Sequence, residues 1–303
     1  MGLLIARIAP QREFPQAAAI CVIAANIPDL DILTVVSPAV YLTYHRHLTH
    51  SLIAIPLMAA LAVVLIDTWN RLRGNRMGQE DPTWFARSWG LALLAAGSHV
   101  ALDMTNSYGV RLWLPFSNEW SSWDLFFVID PIIWLILAVA ALVPWVLGRK
   151  RLTAVCGLAM LVLYASLTLR IKADLAPRVV ASAVADESLV EWHLFPSPWT
   201  PWDWNFYLRT AVGESTTQWN ASISEPPAPM VFSPVEPGLV EQVLAMPLGR
   251  AYYDFALYPV FVMDGDDAVR LGDYRFVRNG DLVFSCRFEL DDSGRVTDSA
   301  FVF

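Results

Sequence analysis

The chain has 303 residues, 55% hydrophobic and only 17% charged, with a mean hydropathy of +0.43; an average soluble domain carries about 25% charged residues. That composition excludes a disordered chain, and three scattered cysteines (Cys21, Cys156 and Cys286) exclude a secreted disulfide scaffold. A formal net charge of -8 and a pI of about 5.1 argue against nucleic acid as a partner, which leaves a multi-pass membrane protein as the best fit.

In chain order, five apolar segments can be drawn, at 14–27, 51–66, 89–102, 125–147 and 152–169. They predict a mainly α, transmembrane bundle of four to five helices, although only 125–147 reaches the roughly 20 residues that cross a bilayer comfortably. Basic residues punctuate the segments: Arg7 and Arg12 before the first, Arg71, Arg73, Arg76 and Arg87 between the second and third, and Arg149, Lys150 and Arg151 between the fourth and fifth. If all five cross, these clusters share one side, which the positive-inside rule makes cytoplasmic. The stretches 28–50 and 103–124 and the C-terminal region then face the other side. Residues 1–16 show neither a continuous apolar core nor a small-residue cleavage site, so no cleavable signal peptide is read there.

Charge divides the chain. Residues 1–172 carry net +3 and residues 173–303 net -11, which sets an expected membrane domain over 1–172 and an acidic extramembrane domain over 173–303. Proline-rich stretches around 195–201 and 225–229 interrupt the latter. Its later half reads as strands at 260–263, 274–277, 282–288 and 295–303, joined by hairpin turns at Asn279-Gly280 and Ser293-Gly294. A small β-rich module is expected, with Trp192, Trp199, Trp202 and Trp204 either against the membrane or in its core.

Metal-capable side chains gather at four places beside the apolar segments: Pro28-Asp29-Leu30-Asp31; His45-Arg46-His47-Leu48-Thr49-His50-Ser51; His99 and Asp103, followed by Asn106, Tyr108 and Gly109; and Asp124 with Asp130-Pro131. In the topology above all four lie at the non-cytoplasmic face. His99 and Asp103 are one helical turn apart and project from one face. His45 and His50, five apart, do not stack on a regular helix, so one of them belongs to a loop or first turn. Singly each has a plain reading: a turn for Asp29 and Asp31, a core histidine for His99, a headgroup-facing loop for His45-Arg46-His47, a helix cap for Asp130. Jointly, ionisable groups next to apolar helices point to function. Imidazole with carboxylate suits zinc foremost, with manganese or iron as alternatives.

The order of these motifs, together with Leu114-Pro115-Phe116, resembles the membrane-bound metal-dependent hydrolase family, the YdjM-like group of bacterial inner-membrane proteins, over roughly residues 5–172. The resemblance implies a multi-helix protein of the bacterial cytoplasmic membrane with a divalent-metal site and a hydrolase activity, here in a longer branch with a C-terminal extension. By motif match it assigns Asp29, Asp31, His45, His50, His99 and Asp103 as ligands, and after them Asp124 and Asp130. Family members usually open with a Thr-His pair on the first helix. This chain opens at Met1-Gly2-Leu3-Leu4 without it, so a native start upstream of Met1 is expected.

The expected chemistry is activation of a metal-bound water for attack on a lipid or lipid-linked phosphoester. Arg46 would either clamp the phosphate or pair with a headgroup, Asp29 or Asp31, and Thr49, Asn106 and Tyr108 would orient ligands. The chain contains no G-x-S-x-G elbow, glycine-rich phosphate loop, C-x-x-C or H-E-x-x-H motif. The rival class is a non-enzymatic scaffold or metal-handling protein, whose C-terminal domain recruits an envelope partner.

Overall fold

The computed structural model describes the chain except residues 10–15, 76–80, 184–188, 198–199, 211–216, 223–228, 232–234, 279–280 and 303. Arg12, Arg76, Trp199, most of the 225–229 proline stretch and the Asn279-Gly280 turn lie outside the described residues. Two compact units emerge. One comprises Met1–Leu33 and Arg46–Thr168, the other Thr34–His45 and Leu169–Phe303. The segment 34–45, expected to belong with the helices, therefore counts with the C-terminal unit.

The first unit contains α1 (Gly2–Ile8), α2 (Ala17–Ala24), α4 (Ala54–Leu72), α5 (Trp84–Thr105), α6 (Pro131–Leu147) and the first half of α7 (Lys150–Ala183); α3 (Pro38–Tyr44) belongs to the second. Its core is built from small side chains. Ala17, Cys21 and Ala24 of α2, Ala59, Ala62 and Val63 of α4, and Ala92, Ala95 and Ala96 of α5 are all buried. Small residues let helix backbones approach closely, which is how helices associate where lipid removes the hydrophobic drive. Gly2 marks the tightest approach: a Cβ there would sit 2.2 Å from the Cys21 carbonyl oxygen.

Among the described residues two helices are long and apolar enough to cross a membrane, α4 and the Lys150–Arg178 stretch of α7. The apolar α6 is shorter, at 17 residues. The four to five spans expected from the sequence thus reduce to two helices that meet the length criterion. The outer faces of α4, α6 and α7 nevertheless expose Leu57, Leu61, Trp134, Leu142, Val162 and Leu163, far more contiguous apolar surface than a water-soluble monomer presents.

Arg7 is buried in this unit. Proline 144 interrupts α6 and cannot donate to the carbonyl of Ala140, four residues earlier. The Arg7 guanidinium donates there instead, through Nη1 to the Ala140 oxygen at 2.9 Å and through Nη2 to the Ala141 oxygen at 3.0 Å.

The second unit is β-rich, as expected, but not only β. One antiparallel sheet runs in the order β1 (Leu189–Pro196), β2 (Asp203–Thr210), β3 (Thr217–Ser222), β4 (Pro229–Val231). It buries Leu194, Trp204 and Phe206 against Ile171 and Leu175 of α7. Trp204 is therefore core, whereas Trp192 and Trp202 are exposed. A second antiparallel sheet has the order β10 (Val296–Val302), β9 (Ser285–Leu290), β6 (Ala268–Asp273), β5 (Pro259–Met263), and β7 (Val277–Arg278) pairs with β8 (Asp281–Leu282). The Ser293-Gly294 turn joins β9 to β10, with Gly294 at φ +75°. Two helices unforeseen in the sequence, α8 (Pro237–Ala245) and α9 (Pro247–Phe255), precede the second sheet, and α9 packs on β6, β9 and α3. The expected strand at 274–277 is mostly a 3-10 turn, Tyr274–Phe276. Asp273 stops the strand there: it accepts from the backbone N–H of Leu257 and Arg275 at 2.8 and 2.9 Å, and pairs with the buried Arg275 guanidinium at 2.8 Å.

Candidate metal centre

The first unit brings Asp29, His50, His99 and Asp103 together, their ligand atoms all within 4.8 Å of one another. They come from three local structures, and the local structure explains the aim. His99 and Asp103 lie on α5, whose helical spacing stacks them. His50 ends the 3-10 turn Leu48–His50 just before α4 and is fully buried. Asp29 and Asp31 lie on the 3-10 helix Pro28–Thr34. Asp29 belongs to the four-residue cluster, while Asp31 accepts from the Arg46 backbone N–H and the Thr49 hydroxyl.

His50 Nε2 lies 3.4 Å from Asp29 Oδ1, 3.2 Å from Asp103 Oδ2 and 3.3 Å from His99 Nε2. His99 Nε2 lies 3.5 Å from Asp29 Oδ1 and 3.3 Å from Asp103 Oδ2. Asp103 Oδ2 is buried without a hydrogen-bond partner among the described residues. Burial pushes the Asp29 carboxyl up, but the facing imidazoles of His50 and His99 outweigh it and hold the group well below the usual carboxylate range.

The other side of His50 fixes its tautomer. Thr49 Oγ1 donates its single proton to Asp31 Oδ2 at 2.9 Å and lies 3.0 Å from His50 Nδ1. With the hydroxyl proton used, a neutral His50 ring would donate Nδ1–H to Thr49 and turn its Nε2 lone pair toward the cluster. Asp31 Oδ2 stands 3.6 Å behind the same ring nitrogen and also accepts from the Arg46 backbone N–H at 3.0 Å. Two imidazole nitrogens and two carboxylates thus converge on one point. Such a donor set fits a divalent cation.

Arg46 has φ +55°, a conformation held by that bond from its N–H to Asp31. Its guanidinium pairs with Asp103 Oδ1 at 3.1 Å and donates to Asn106 Oδ1 at 3.1 Å, over the Tyr108 ring at 4.8 Å. This corrects the expected ion pair with Asp29 or Asp31: Asp103, on α5, is the partner. Its Nε atom is buried without a hydrogen-bond partner among the described residues. Asn106 also accepts from the N–H groups of Tyr108 and Gly109, so it orients Arg46 rather than a ligand.

Two sequence-assigned ligands, Asp130 and Asp124, are placed otherwise. Asp130 caps α6, accepting from Ile132 N–H, Ile133 N–H and the Tyr164 hydroxyl at 2.8, 3.0 and 2.9 Å. Its helix-start reading wins because Pro131 follows at the first helical position. Asp124 has φ +50° and accepts from Ser122 Oγ at 3.0 Å; it too lies outside the four-residue cluster. His45 belongs to the second unit, where it ends α3 and stacks on Tyr41 at 4.7 Å. Sequence reasoning missed the buried role of Arg7; the signal was Pro144, which leaves a carbonyl in need of a donor.

Apolar helices with lipid-facing surface and a two-histidine, two-aspartate cluster define a membrane protein carrying a candidate metal centre. The YdjM inner membrane protein family matches residues 1–175, more than half of the chain, and the chain belongs to that family. Over 141 residues it is 30% identical to "Uncharacterized protein YfhP" of Bacillus subtilis (strain 168), which takes in 46% of this chain and 38% of that protein. The chain therefore spans well under half the length of that curated relative. No solved structure matches.

Proposed function

We propose that the protein is a divalent-metal-dependent hydrolase of the inner membrane, acting on a lipid or lipid-linked phosphoester at the non-cytoplasmic face. One observation carries the reading: the spacing of the four ligand atoms. A tetrahedral ion with bonds of roughly 2.0–2.1 Å separates its ligands by about 3.3–3.4 Å. The five measured separations run from 3.2 to 3.5 Å. Imidazole with carboxylate is the donor set that suits zinc foremost, with manganese or iron as alternatives.

When bound, such an ion lowers the pKa of a coordinated water toward neutrality and polarises a substrate oxygen. The chain's own residues supply the rest. Thr49 and Asp31 hold the His50 ring in its ligating tautomer. Asp29, the most exposed of the four at 47%, is the arm nearest to incoming water or substrate. Arg46, fixed by Asp103 and Asn106, keeps its Nε to meet a phosphate oxygen. Leu30, Ile32, Leu48, Leu52, Trp113 and Trp123 are exposed on the same segments, an apolar and aromatic rim suited to the membrane interface and to an amphiphilic substrate. The distribution of basic residues supports a non-cytoplasmic C-terminal region if all five apolar segments cross.

Four protein ligands also resemble a closed, structural site, and this favours a second reading as a metal-handling or scaffold protein with an envelope partner. Metal content of the detergent-purified protein, measured beside a His50→Ala/His99→Ala variant and followed by a phosphoester screen, separates them. About one ion per chain, lost in the folded variant, with metal-dependent turnover supports the hydrolase. A tightly held ion without turnover supports the second reading, and no ion under metal-replete conditions overturns both.

A further inference from the structure

We infer that the turn between α6 and α7 is a binding site for an anionic phospholipid, with its phosphate on a basic pocket and one acyl chain in an adjoining apolar groove. The pocket, about 510 Å³, is lined by Arg7, Ala9, Arg149, Lys150 and Arg151 with Gly148 and Leu152. Four cations surround one cavity, and none of the first three residues of α7 or its preceding Arg149 has a carboxylate partner among the described residues.

The placement is electrostatically odd. The first turn of α7 contains no acidic residue, yet a helix N-terminus carries the positive end of the macrodipole and unpaired N–H groups. Three cations there repel that end and each other. The carbonyl end of α6 lies beside the same turn, after the left-handed Gly148, and offsets part of the charge. A bound phosphate would offset the remainder and accept from the arginine forks. Arg7 reaches this pocket as a rigid wall, because its guanidinium is already fixed on the Ala140 and Ala141 carbonyls.

The second, independent observation is the groove of about 310 Å³ on the same helix pair. Ile136, Val139 and Val143 of α6 face Thr153, Gly157 and Met160 of α7 across it. Gly157 lets the helices close at its floor: a Cβ there would meet that of Ala140 at 2.5 Å. Thr153 starts the groove less than one helical turn after Lys150, and from Leu135 to Val143 the α6 wall extends about 12 Å at 1.5 Å per residue. A basic pocket beside an apolar groove on the same helix pair of an inner-membrane protein matches one amphiphile with an anionic head. The assignment does not depend on the proposed hydrolase.

The test uses the full-length protein, delipidated in detergent, with binding read by native mass spectrometry and thermal shift. Probes are phosphatidylglycerol, phosphatidylcholine with the same chains, and inorganic phosphate. Phosphatidylglycerol should bind and raise Tm, and phosphatidylcholine should do neither. Arg149→Gln/Lys150→Gln/Arg151→Gln should weaken binding about 100-fold, at the per-cation scale of anionic-lipid attraction, and Arg149→Lys/Arg151→Lys should retain it. Val139→Trp, at an exposed groove position, should weaken lipid binding without altering the response to phosphate. Equal binding of phosphatidylcholine, or loss in the charge-keeping variant, overturns the electrostatic account. An equal shift with inorganic phosphate alone makes the pocket a free-anion site and overturns the lipid assignment.

Discussion

Replacing Asp31 by asparagine separates a carboxylate that positions a ligand from one that is a ligand. The side chain is buried, and its Oδ2 receives the Arg46 N–H, the Thr49 hydroxyl and, at longer range, the His50 Nδ1. Asparagine preserves the shape and one acceptor oxygen but removes the charge. Charge-assisted hydrogen bonds are roughly twice as strong as neutral ones, so two weakened bonds should loosen the Arg46–His50 loop by about 1–2 kcal/mol. Groups that orient a metal-bound histidine typically contribute 10–100-fold in affinity, which converts to about 1.4–2.7 kcal/mol. Asp31→Asn should accordingly bind metal about 10–100-fold more weakly, measured by competition with a chromophoric chelator, and less weakly than His50→Ala. Wild-type affinity in Asp31→Asn, with His50→Ala defective, would refute the tautomer argument. A loss as large as that of His50→Ala would make Asp31 a ligand in its own right.

Chelation should destabilise the protein: an ion present at about 100 times its Kd adds about 2.7 kcal/mol to the folded state, so metal-replete and chelator-treated samples should differ in Tm. Acid should weaken metal binding, because each imidazole must be neutral to ligate. Metal titrations should therefore decline from pH 7 to pH 4, whereas the Asp29 carboxyl, depressed in the folded chain, contributes stability that is present above its unfolded pKa and lost only as the pH falls below about 4; Asp29→Asn should flatten that acid limb of the melts. Arg7→Met should lose about 1–3 kcal/mol by leaving the Ala140 oxygen unpaired. In a Pro144→Ala background, where a backbone N–H is restored, that loss should shrink in a double-mutant cycle, and equal losses in both backgrounds would refute the link.

Periodicity and spacing carried the sequence far where the interactions are local. The segments 51–66, 89–102, 125–147 and 152–169 overlap α4, α5, α6 and α7, because apolar runs without breakers have few other options. His99 and Asp103 were legible as a pair for the same reason. What escaped depended on distance in the chain. The Arg46 partner is Asp103, 57 positions later by number, and nothing in the local pattern selects it over Asp29 or Asp31. Asp29 and Asp31 read as a joint pair of ligands, and the bonds of Asp31 to Arg46 and Thr49 are not legible in that spacing. Asp130 carried a cap signature beside its metal-ligand one, and the hydroxyl of Tyr164 could not be foreseen. In the second unit α8 and α9 begin at prolines, Pro237 and Pro247, which read as breaks when they are helix starts.

The bond from Arg7 to the α6 backbone also has a temporal side. A nascent chain makes α1 first, and the carbonyls that will receive its guanidinium emerge 133 and 134 residues later. Until then α1 carries an unsatisfied cation, and α6, once made, carries a gap in its ladder. Docking supplies each with the partner that it lacks. The bond thereby joins an early and a late segment of the chain in one bundle.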